Sequence, residues 1–411
     1  MIQFVNILLL LALAYYGFRI TRNEPLGNFY LPGLLFKVLA GFSVGLIYSY
    51  YYTNGDTWVM YAEGIKLKTA AISSVDSFIN IYFKSDYTSI SQFAYPIQPR
   101  AAFMAKILGL LAFITNNNYW LSSIYLSIFS FWGFWLLATN LYSFTGSKWS
   151  AVIPTLFFPS IIFWTSGILK ESVAIGAMAG VMSMVLKGYL KNRLSWEQWL
   201  VVIIGLLLLA QLKYYYAAIL VVAVISLFGA RILLSVRSKW HWELLTVVII
   251  FIVTMSAASQ IHPNLWPSRF LTVIVDNYYQ YVQLSEVSNV VVFKDLAPTV
   301  PSVLIHSPKA LFAGLFFPLW MSSFNILRLM VIIENGLLLI ASIYGIRYFI
   351  LPEVRDYRLL LFVSLLFIIV AAILLTFSAP NFGTLVRYKT GYLLVFVSIL
   401  SAAISSRLRT S

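Results

Sequence analysis

The sequence contains no cysteine, and it is poor in histidine and in charged residues. Without cysteine the chain can form no disulfide, carry no thiol nucleophile and offer no sulfur ligand to a metal. The three histidines, His241, His262 and His306, stand too far apart in the sequence to indicate a metal site. The composition therefore points to no cofactor.

Charged residues make up only 10% of the 411 residues, compared with about 25% in a soluble domain. Hydrophobic residues make up 61%, in repeated runs of about 20 residues, the length that crosses a bilayer core. The net charge of +14 comes from Lys and Arg scattered in short loops, as membrane topology requires, and not from a basic face that would bind nucleic acid. The sequence therefore predicts an all-α, polytopic membrane protein with no nucleic-acid partner.

About eleven transmembrane helices account for the apolar runs. The predicted spans are 2–18, 32–52, 119–139, 150–165, 168–187, 198–212, 215–234, 243–258, 325–346, 359–377 and 391–406. Basic residues in the short loops place the N-terminus outside and the C-terminus, with Arg407 and Arg409, in the cytoplasm. Basic residues follow the first span instead of preceding it, and it lacks a small-residue cleavage site, so we interpret it as a retained helix.

Two long segments, 53–118 and 259–322, are predicted on the outer side of a single transmembrane domain, 1–411. If the apolar stretch 101–115 crossed the membrane, the basic loop 187–193 would lie outside. The positive-inside rule therefore favours an interfacial or re-entrant helix for that stretch. The two outer segments do not resemble each other, and no internal repeat is visible.

The candidate functional residues are the ionisable side chains that this topology places at the outer membrane boundary, because charge at membrane depth is costly and indicates function by default. Four groups stand out, and Arg100 lies beside them in the first outer segment. The groups are Gly55-Asp56-Thr57 with Tyr61 and Glu63; Ser160 and Ser166-Gly167 with Lys170 and Glu171; Lys213 with Tyr214, Tyr215 and Tyr216; and Arg387-Tyr388-Lys389.

Each group also has a plain structural interpretation. Asp56 can cap a short helix, and Lys170 with Glu171 can join neighbouring helices. Lys213 can extend to the outer headgroups, and so can the cations of the last outer loop. Glu334, inside an apolar run, is interpreted as a helix–helix contact.

Taken together, these residue types suit one reaction class. An outer carboxylate can act as general base toward an acceptor hydroxyl. Outer cations can hold the phosphate of a lipid-linked donor as it leaves. Tyrosines and Trp164 can stack on a sugar ring.

The layout resembles the GT-C superfamily, the integral-membrane glycosyltransferases that use polyprenyl-phosphate-linked sugars. Asp56 is delivered into the first outer loop by a helix, and Tyr95 to Thr115 looks like a juxtamembrane helix of that loop. The stretch from Phe158 to Glu171 looks like an outer turn of the family, and Arg387-Tyr388 resembles an Arg-Tyr pair seen there. The resemblance covers roughly residues 30–405, by topology more than by sequence. Proteins of bacterial cell-envelope polysaccharide synthesis are the most similar kind.

The resemblance implies an inverting transferase in the bacterial cytoplasmic (inner) membrane, with a polyprenyl-phosphate sugar donor and a glycan, lipid or protein acceptor. Asp56 would be the base, supported by Glu63. The donor phosphate would be bound by Arg387, Lys389 and Arg100. The sugar or acceptor pocket would be lined by Lys170, Glu171, Lys213 and Tyr214.

Three features depart from the family pattern. The first helix is additional, no soluble C-terminal domain is present, and Asp56 has no second aspartate beside it. The single carboxylate favours base catalysis without a divalent metal.

Two other functions remain open on the sequence. An O-antigen-type polysaccharide polymerase or ligase would share the lipid-linked donor but would depend on outer arginines instead of a carboxylate. A transporter or flippase for a lipid-linked or anionic solute would place its site near the membrane midplane, where Glu334 and Arg328 are the candidates.

Overall fold

The computed structural model describes residues 1–51, 56–191, 193–260, 266–320, 326–347 and 354–407. The features predicted at Gly55, His262 and Arg409 lie outside these ranges. Within them the chain is helical, and the only strand-like pairing is an isolated bridge between Val290 and Asn381. The all-α prediction is confirmed.

The chain divides into two compact units, Met1–Tyr214 and Tyr215–Ser411. The single transmembrane domain predicted for residues 1–411 covers both units. The boundary lies inside one long helix, between Tyr214 and Tyr215, and Lys213, just before it, has non-helical backbone angles.

Unit 1 is built around a long central helix. Its helices are α1 (Ile2–Thr21), α2 (Tyr30–Tyr50), α3 (Asp56–Ala71), α4 (Val75–Tyr82), α5 (Pro99–Thr115), α6 (Tyr119–Thr145), α7 (Lys148–Val152), α8 (Pro159–Trp164), α9 (Lys170–Lys191) and the first part of α10 (Trp196–Leu233). The central helix α6 packs against α2, α5 and α9, and α3 packs along α5. The approach of α6 to α9 is so close that a Cβ on Gly133 would lie 2.0 Å from the Gly176 carbonyl oxygen.

Unit 2 contains the second part of α10 and seven further helices. These are α11 (Trp240–Ala258), α12 (Pro267–Leu284), α13 (Val300–Phe316), α14 (Ile326–Arg347), α15 (Arg355–Ser378), α16 (Phe382–Tyr388) and α17 (Thr390–Arg407). Helix α12 is amphipathic, and its apolar face, including Ile274 and Tyr278, packs with Ala313 of α13 and Phe377 of α15.

Eight helices in the described part of the chain are long and apolar enough to cross a membrane. They are Ile2–Thr21, Gly27–Tyr50, Tyr119–Thr145, Lys170–Leu190, Trp196–Leu233, Trp240–Ala258, Ile326–Ile346 and Arg355–Ser378. The pair α16 and α17, bent by 58°, counts as a ninth if it is one broken span. The protein is therefore a multi-pass membrane protein, and the number of eleven spans stays a prediction.

The predicted span 150–165 is not a continuous helix. Helix α7 passes into a π-helical segment, Ile153–Phe157, which contains Pro154, and α8 starts only at Pro159. Phe158 is extended, with ψ 117°, because the ring of a following proline disfavours helical angles. Two proline residues therefore divide an apolar run that hydropathy alone reads as one span.

The predicted helices 198–212 and 215–234 form the single 38-residue segment α10, which is interrupted at Lys213 (φ −143°, ψ 62°). The break lies where the sequence analysis places the tip between two helices. The structure joins the two helices without a loop, because only one residue leaves helical geometry.

Ion pairs gather the ends of three helices at one end of unit 2. Arg358 of α15 pairs with the fully buried Glu243 of α11 at 2.6 Å. Arg231 of α10 pairs with Asp356 at 3.1 Å, and Arg355 donates to the Leu234 carbonyl. The positive-inside rule predicts Arg231, Arg355 and Arg358 on the cytoplasmic side, and the structure brings the three together.

Candidate functional site

Asp56 is the first residue of α3, and its side chain is exposed. The turn that it begins is fixed to the start of α6. The indole of Trp58 stacks on the ring of Tyr119 with centroids 3.7 Å apart, and the Tyr119 hydroxyl donates to Thr57 Oγ1 at 2.9 Å. The carboxylate is therefore open to solvent on a backbone that packing holds in place.

Glu63 lies further along α3 than Asp56, and its side chain is buried. Its Oε1 accepts from Lys66 Nζ at 2.7 Å, and its Oε2 accepts from the Ala94 amide at 2.9 Å. Lys66 also donates to the Gln92 carbonyl at 2.9 Å. Both oxygens of Glu63 are thus engaged inside the protein, so its support of the site consists of fastening the loop 92–95 to α3.

The fastened loop carries Tyr95, which is predicted only as the start of the juxtamembrane stretch Tyr95 to Thr115. Its side chain is half-buried. Burial raises the pKa of the Tyr95 phenol, and the nearby negative charges of Asp56 and Glu63 raise the pKa further. The Tyr95 phenol therefore stays neutral and can donate a hydrogen bond.

A buried ion pair joins α9 to the break in α10. Lys213 Nζ lies 2.7 Å from Glu171 Oε1, and the two side chains are 5% and 3% exposed. Glu171 belongs to the first turn of α9. Lys213 therefore points into unit 1, and its interpretation as a side chain that extends to the headgroups is wrong. The Glu171 carboxylate stabilises the charge of Lys213 inside the protein.

Arg100, at the start of α5, contacts Tyr214, the residue that follows Lys213. Its guanidinium lies over the ring of Tyr214, 5.5 Å from the centroid, and both side chains are exposed. Pro99 is the first residue of α5, where no helical hydrogen bond needs its missing N–H. The proline therefore suits the start of this helix, and Arg100 follows it.

The start of α9 packs at the same end of the unit as the start of α3. Leu169 forms a buried cluster with Val44 and Tyr48, and Trp58 and Trp164 pack against that cluster. Lys170 follows directly and is half-buried.

Together these contacts close a circuit through unit 1. We call the residues that it gathers the polar cluster; its members are Asp56, Tyr95, Arg100, Lys170, Glu171, Lys213 and Tyr214. The circuit runs from Asp56 through Trp58 and the Leu169 cluster to α9 and across the ion pair to α10. It continues from Tyr214 to Arg100 at the start of α5, and the loop before α5 is held on α3 by Glu63. It brings together an exposed acid, an exposed guanidinium and a neutral phenol, and these can accept a proton, bind an anion and donate a hydrogen bond.

Arg387, in unit 2, lies on α16 and is half-buried. Its guanidinium is 5.6 Å from the ring centroid of Tyr388. Tyr281 of α12 lies beside this pair. Burial raises the pKa of the Tyr281 phenol, as does Tyr388, while Thr384 and Arg387 lower it. Arg387 therefore stands in an aromatic setting from which a planar guanidinium can bind a phosphate.

Lys389 is predicted in an outer loop, but it is fully buried at the bend between α16 and α17. Its Nζ donates to Asn335 Oδ1 at 2.7 Å, and Asn335 donates in turn to the Pro318 carbonyl. The correction has a physical reason: the predicted loop is a helix, and the bend after it turns Lys389 toward α14. Lys389 thus makes a contact inside unit 2, and its role as a ligand of the donor phosphate stays a prediction.

Lys37 is not among the functional residues predicted from the sequence. This lysine lies near the middle of the span Gly27–Tyr50 and is only 1% exposed. It donates to Thr165 Oγ1, and its ammonium is 4.2 Å from the centroid of the Phe134 ring. A signal existed, because Lys37 falls on the helical stripe of Gly33, Gly41 and the other buried positions of α2. Glu334 and Arg328 were thus not the only ionisable residues at that depth.

The described residues contain no group of three or more His, Asp or Glu side chains that could hold a metal ion. Comparison of the chain with protein-family models, with curated proteins and with solved structures finds no match. The function is therefore inferred from the chemistry and geometry of the site.

Proposed function

We propose that this protein is an integral-membrane glycosyltransferase of the GT-C kind. It would transfer a sugar from a polyprenyl-phosphate-linked donor to an acceptor hydroxyl at the outer face of the bacterial cytoplasmic membrane, with the N-terminus outside and the C-terminus in the cytoplasm. The observation that supports the proposal most directly is the polar cluster, because it gathers at one end of unit 1 the side chains that such a transfer needs.

The reaction is a direct displacement at the anomeric carbon. Asp56 accepts the proton of the acceptor hydroxyl while the acceptor oxygen forms a bond to the anomeric carbon. The bond between that carbon and the phosphate oxygen breaks, and polyprenyl phosphate leaves with the bonding electrons. A single displacement inverts the configuration of the sugar.

The other members of the polar cluster have supporting roles in this proposal. Arg100 is exposed beside Tyr214, so its guanidinium can bind the departing phosphate in bidentate fashion. Lys170 and the Glu171–Lys213 pair line the sugar or acceptor pocket. Tyr95 donates a hydrogen bond to the acceptor oxygen or to Asp56. In unit 2, Arg387 keeps its proposed role as a phosphate ligand.

The decisive test is Asp56→Asn in proteoliposomes that contain a panel of radiolabelled undecaprenyl-phosphate hexoses and lipid extracts as acceptors. Asp76→Asn is the matched control, because Asp76 is also an exposed acid in the first turn of a helix of the same segment. We expect Asp56→Asn to abolish transfer and Asp76→Asn to retain it. Equal transfer by the two variants would exclude Asp56 as the base.

The same assay tests the polymerase or ligase alternative. Under that alternative, Arg387→Ala should abolish activity while Asp56→Ala retains it. The transferase proposal expects loss of activity in Asp56→Ala.

A transporter is the second candidate function, and one observation favours it. The bend between α16 and α17 brings Lys389 to Asn335, which lies near the middle of the candidate span Ile326–Ile346. Broken helices that present polar groups at mid-membrane are a feature of transporter sites. Movement of undecaprenyl phosphate between liposome leaflets without covalent change, lost in Lys389→Met, would favour this function over transfer.

A further inference from the structure

Lys37 is buried, and the question is why this position holds an amine and not an apolar side chain. Its Nζ donates to Thr165 Oγ1, and Thr165 Oγ1 donates to the Ile161 carbonyl at 2.6 Å, so the lysine must be the donor to the threonine. The Phe134 ring covers the amine. Within the described residues no carboxylate pairs with it. An apolar side chain could fill this space without the cost of burying an amine, so the amine is present for the hydrogen bond that it donates.

That hydrogen bond ends on a turn with little freedom. Thr165 closes α8, and Gly167, at φ +67°, has the left-handed conformation that favours glycine. Ser127 Oγ of α6 accepts from the Gly167 amide at 2.9 Å, and a Cβ on Gly167 would lie 3.0 Å from the Gly41 carbonyl oxygen. The turn 165–167 is thus held on one side by Lys37 and on another by Ser127.

The same turn leads directly into the polar cluster. The Leu169 amide donates to the Gly167 carbonyl at 3.0 Å, and Lys170 and Glu171 follow as the first residues of α9. A shift of the turn would therefore move Lys170 and alter the ion pair between Glu171 and Lys213.

We propose that Lys37 is a positioning residue, which acts through Thr165 and the turn 165–167 to place Lys170 and Glu171 for binding the sugar or acceptor. The inference rests on the proposed function for what these residues bind, but not for the positioning itself. Lys37 lies inside the membrane-spanning part of α2, so it sets the geometry of the site without contacting a substrate.

The kinetic consequence differs from that of a general loss of structure. Loss of the Lys37 hydrogen bond lets the start of α9 move, while the turn after Asp56 stays fixed to Tyr119 through Thr57. The KM for the acceptor should therefore rise by roughly fivefold, about the effect of one hydrogen bond, with a smaller change in kcat. A merely structural role would reduce the amount of folded protein, which lowers the apparent kcat and leaves KM unchanged.

The positioning itself can be measured without activity. The chain has no cysteine, so a single Lys170→Cys replacement can be labelled with a maleimide against no background. The labelling rate is compared in full-length protein carrying Lys37→Met, Thr165→Val, both changes, or Thr165→Ser. Asp76→Cys serves as the control position, since it is exposed and far along the chain from the turn.

We expect Lys37→Met and Thr165→Val each to raise labelling of Lys170→Cys by roughly fivefold, with no further increase in the double variant. Thr165→Ser keeps the hydroxyl and should behave as the parent protein, and labelling of Asp76→Cys should stay constant. Unchanged labelling in the single variants, or additive effects in the double variant, would overturn the proposal. If Lys37→Met does not fold, Lys37→Gln, which removes the ammonium but keeps a polar side chain, takes its place in the same comparison.

Failure of the proposed function is distinguishable from failure of this inference. A parent protein without transfer activity but with the expected labelling pattern refutes the transferase and retains the positioning. Active transfer with unchanged labelling and unchanged acceptor KM in Thr165→Val refutes the positioning and retains the transferase.

Discussion

The ammonium of Lys213 and the carboxylate of Glu171 form a buried ion pair with an N–O distance of 2.7 Å. One partner lies where a long helix breaks, and the other lies where a second helix begins. The pair therefore joins two elements whose charged residues, taken separately, resemble ordinary membrane-boundary charges.

Lys213→Met should destabilise the protein by about 3 kcal/mol, because it leaves the Glu171 carboxylate buried without its cation. The double variant Glu171→Leu/Lys213→Met should recover most of that stability, since an apolar pair of similar volume removes both charges. Thermal unfolding in detergent, followed by tryptophan fluorescence, measures both effects. We expect neither variant to transfer sugar. A single variant as stable as the double variant would contradict the assignment of this pair.

Tyr95→Phe should lower kcat for transfer by roughly tenfold, the effect of one lost hydrogen bond near the reacting oxygen. Tyr87→Phe is the control, because Tyr87 is a partly buried tyrosine of the same loop. The measurement is kcat at saturating donor and acceptor. An equal loss in the two variants would indicate a general effect of the loop and not a role at Asp56.

The pH dependence of stability should also change in Tyr95→Phe. The pKa of the phenol in the folded protein lies above its ordinary value of 10.0, chiefly because of burial. Its contribution to the free energy of unfolding is therefore complete below pH 10 and is lost as the pH rises through the folded pKa. Unfolding midpoints measured from about pH 8 to about pH 11, roughly the range in which a phenol titrates, should fall less steeply in Tyr95→Phe than in the parent protein. Parallel curves would show that Tyr95 has an ordinary environment.

Arg387→Ala should weaken donor binding and Lys389→Met should lower stability, although the two residues are close in sequence. Arg387 is half-buried beside tyrosines, so its loss should raise the donor KM by roughly tenfold with the unfolding temperature unchanged. Lys389 is buried, so Lys389→Met should lower the unfolding temperature by removing the donor to Asn335. Donor titrations and thermal unfolding of both variants provide the comparison. The reverse assignment of effects would restore Lys389 as the phosphate ligand.

Glu243→Gln should destabilise the protein by about 3 kcal/mol, because it removes the countercharge of Arg358 at the end of unit 2 where three helices meet. Glu197→Gln, at an exposed carboxylate in the first turn of α10, should show no measurable change. Thermal unfolding of the two variants in the same detergent measures the difference. Equal stability would mean that the ion pairs in this region do not hold the helices together.

The sequence by itself determined the class of protein and most of its spans. Runs of about 20 apolar residues require helices in a bilayer, because backbone polar groups cannot remain unpaired there. The same reasoning placed a break near Lys213 and gathered Arg231, Arg355 and Arg358 on one side. Asp56, as an acid at the start of a helix, was also visible from its position alone.

Only the tertiary structure decided which charges are exposed and which are paired. Lys213, Lys389 and Lys37 are alike to a hydropathy scale, but each is buried against a different partner: Glu171, Asn335 and Thr165. Those partners lie far away in the sequence, and periodicity carries no information about contacts between elements. The division of the span 150–165 depended on where two prolines fall relative to the packing of α7 and α8. The circuit that joins Asp56 to Arg100 and to the Glu171–Lys213 pair exists because unit 1 packs these helix ends together, and helix packing is a property of the folded chain.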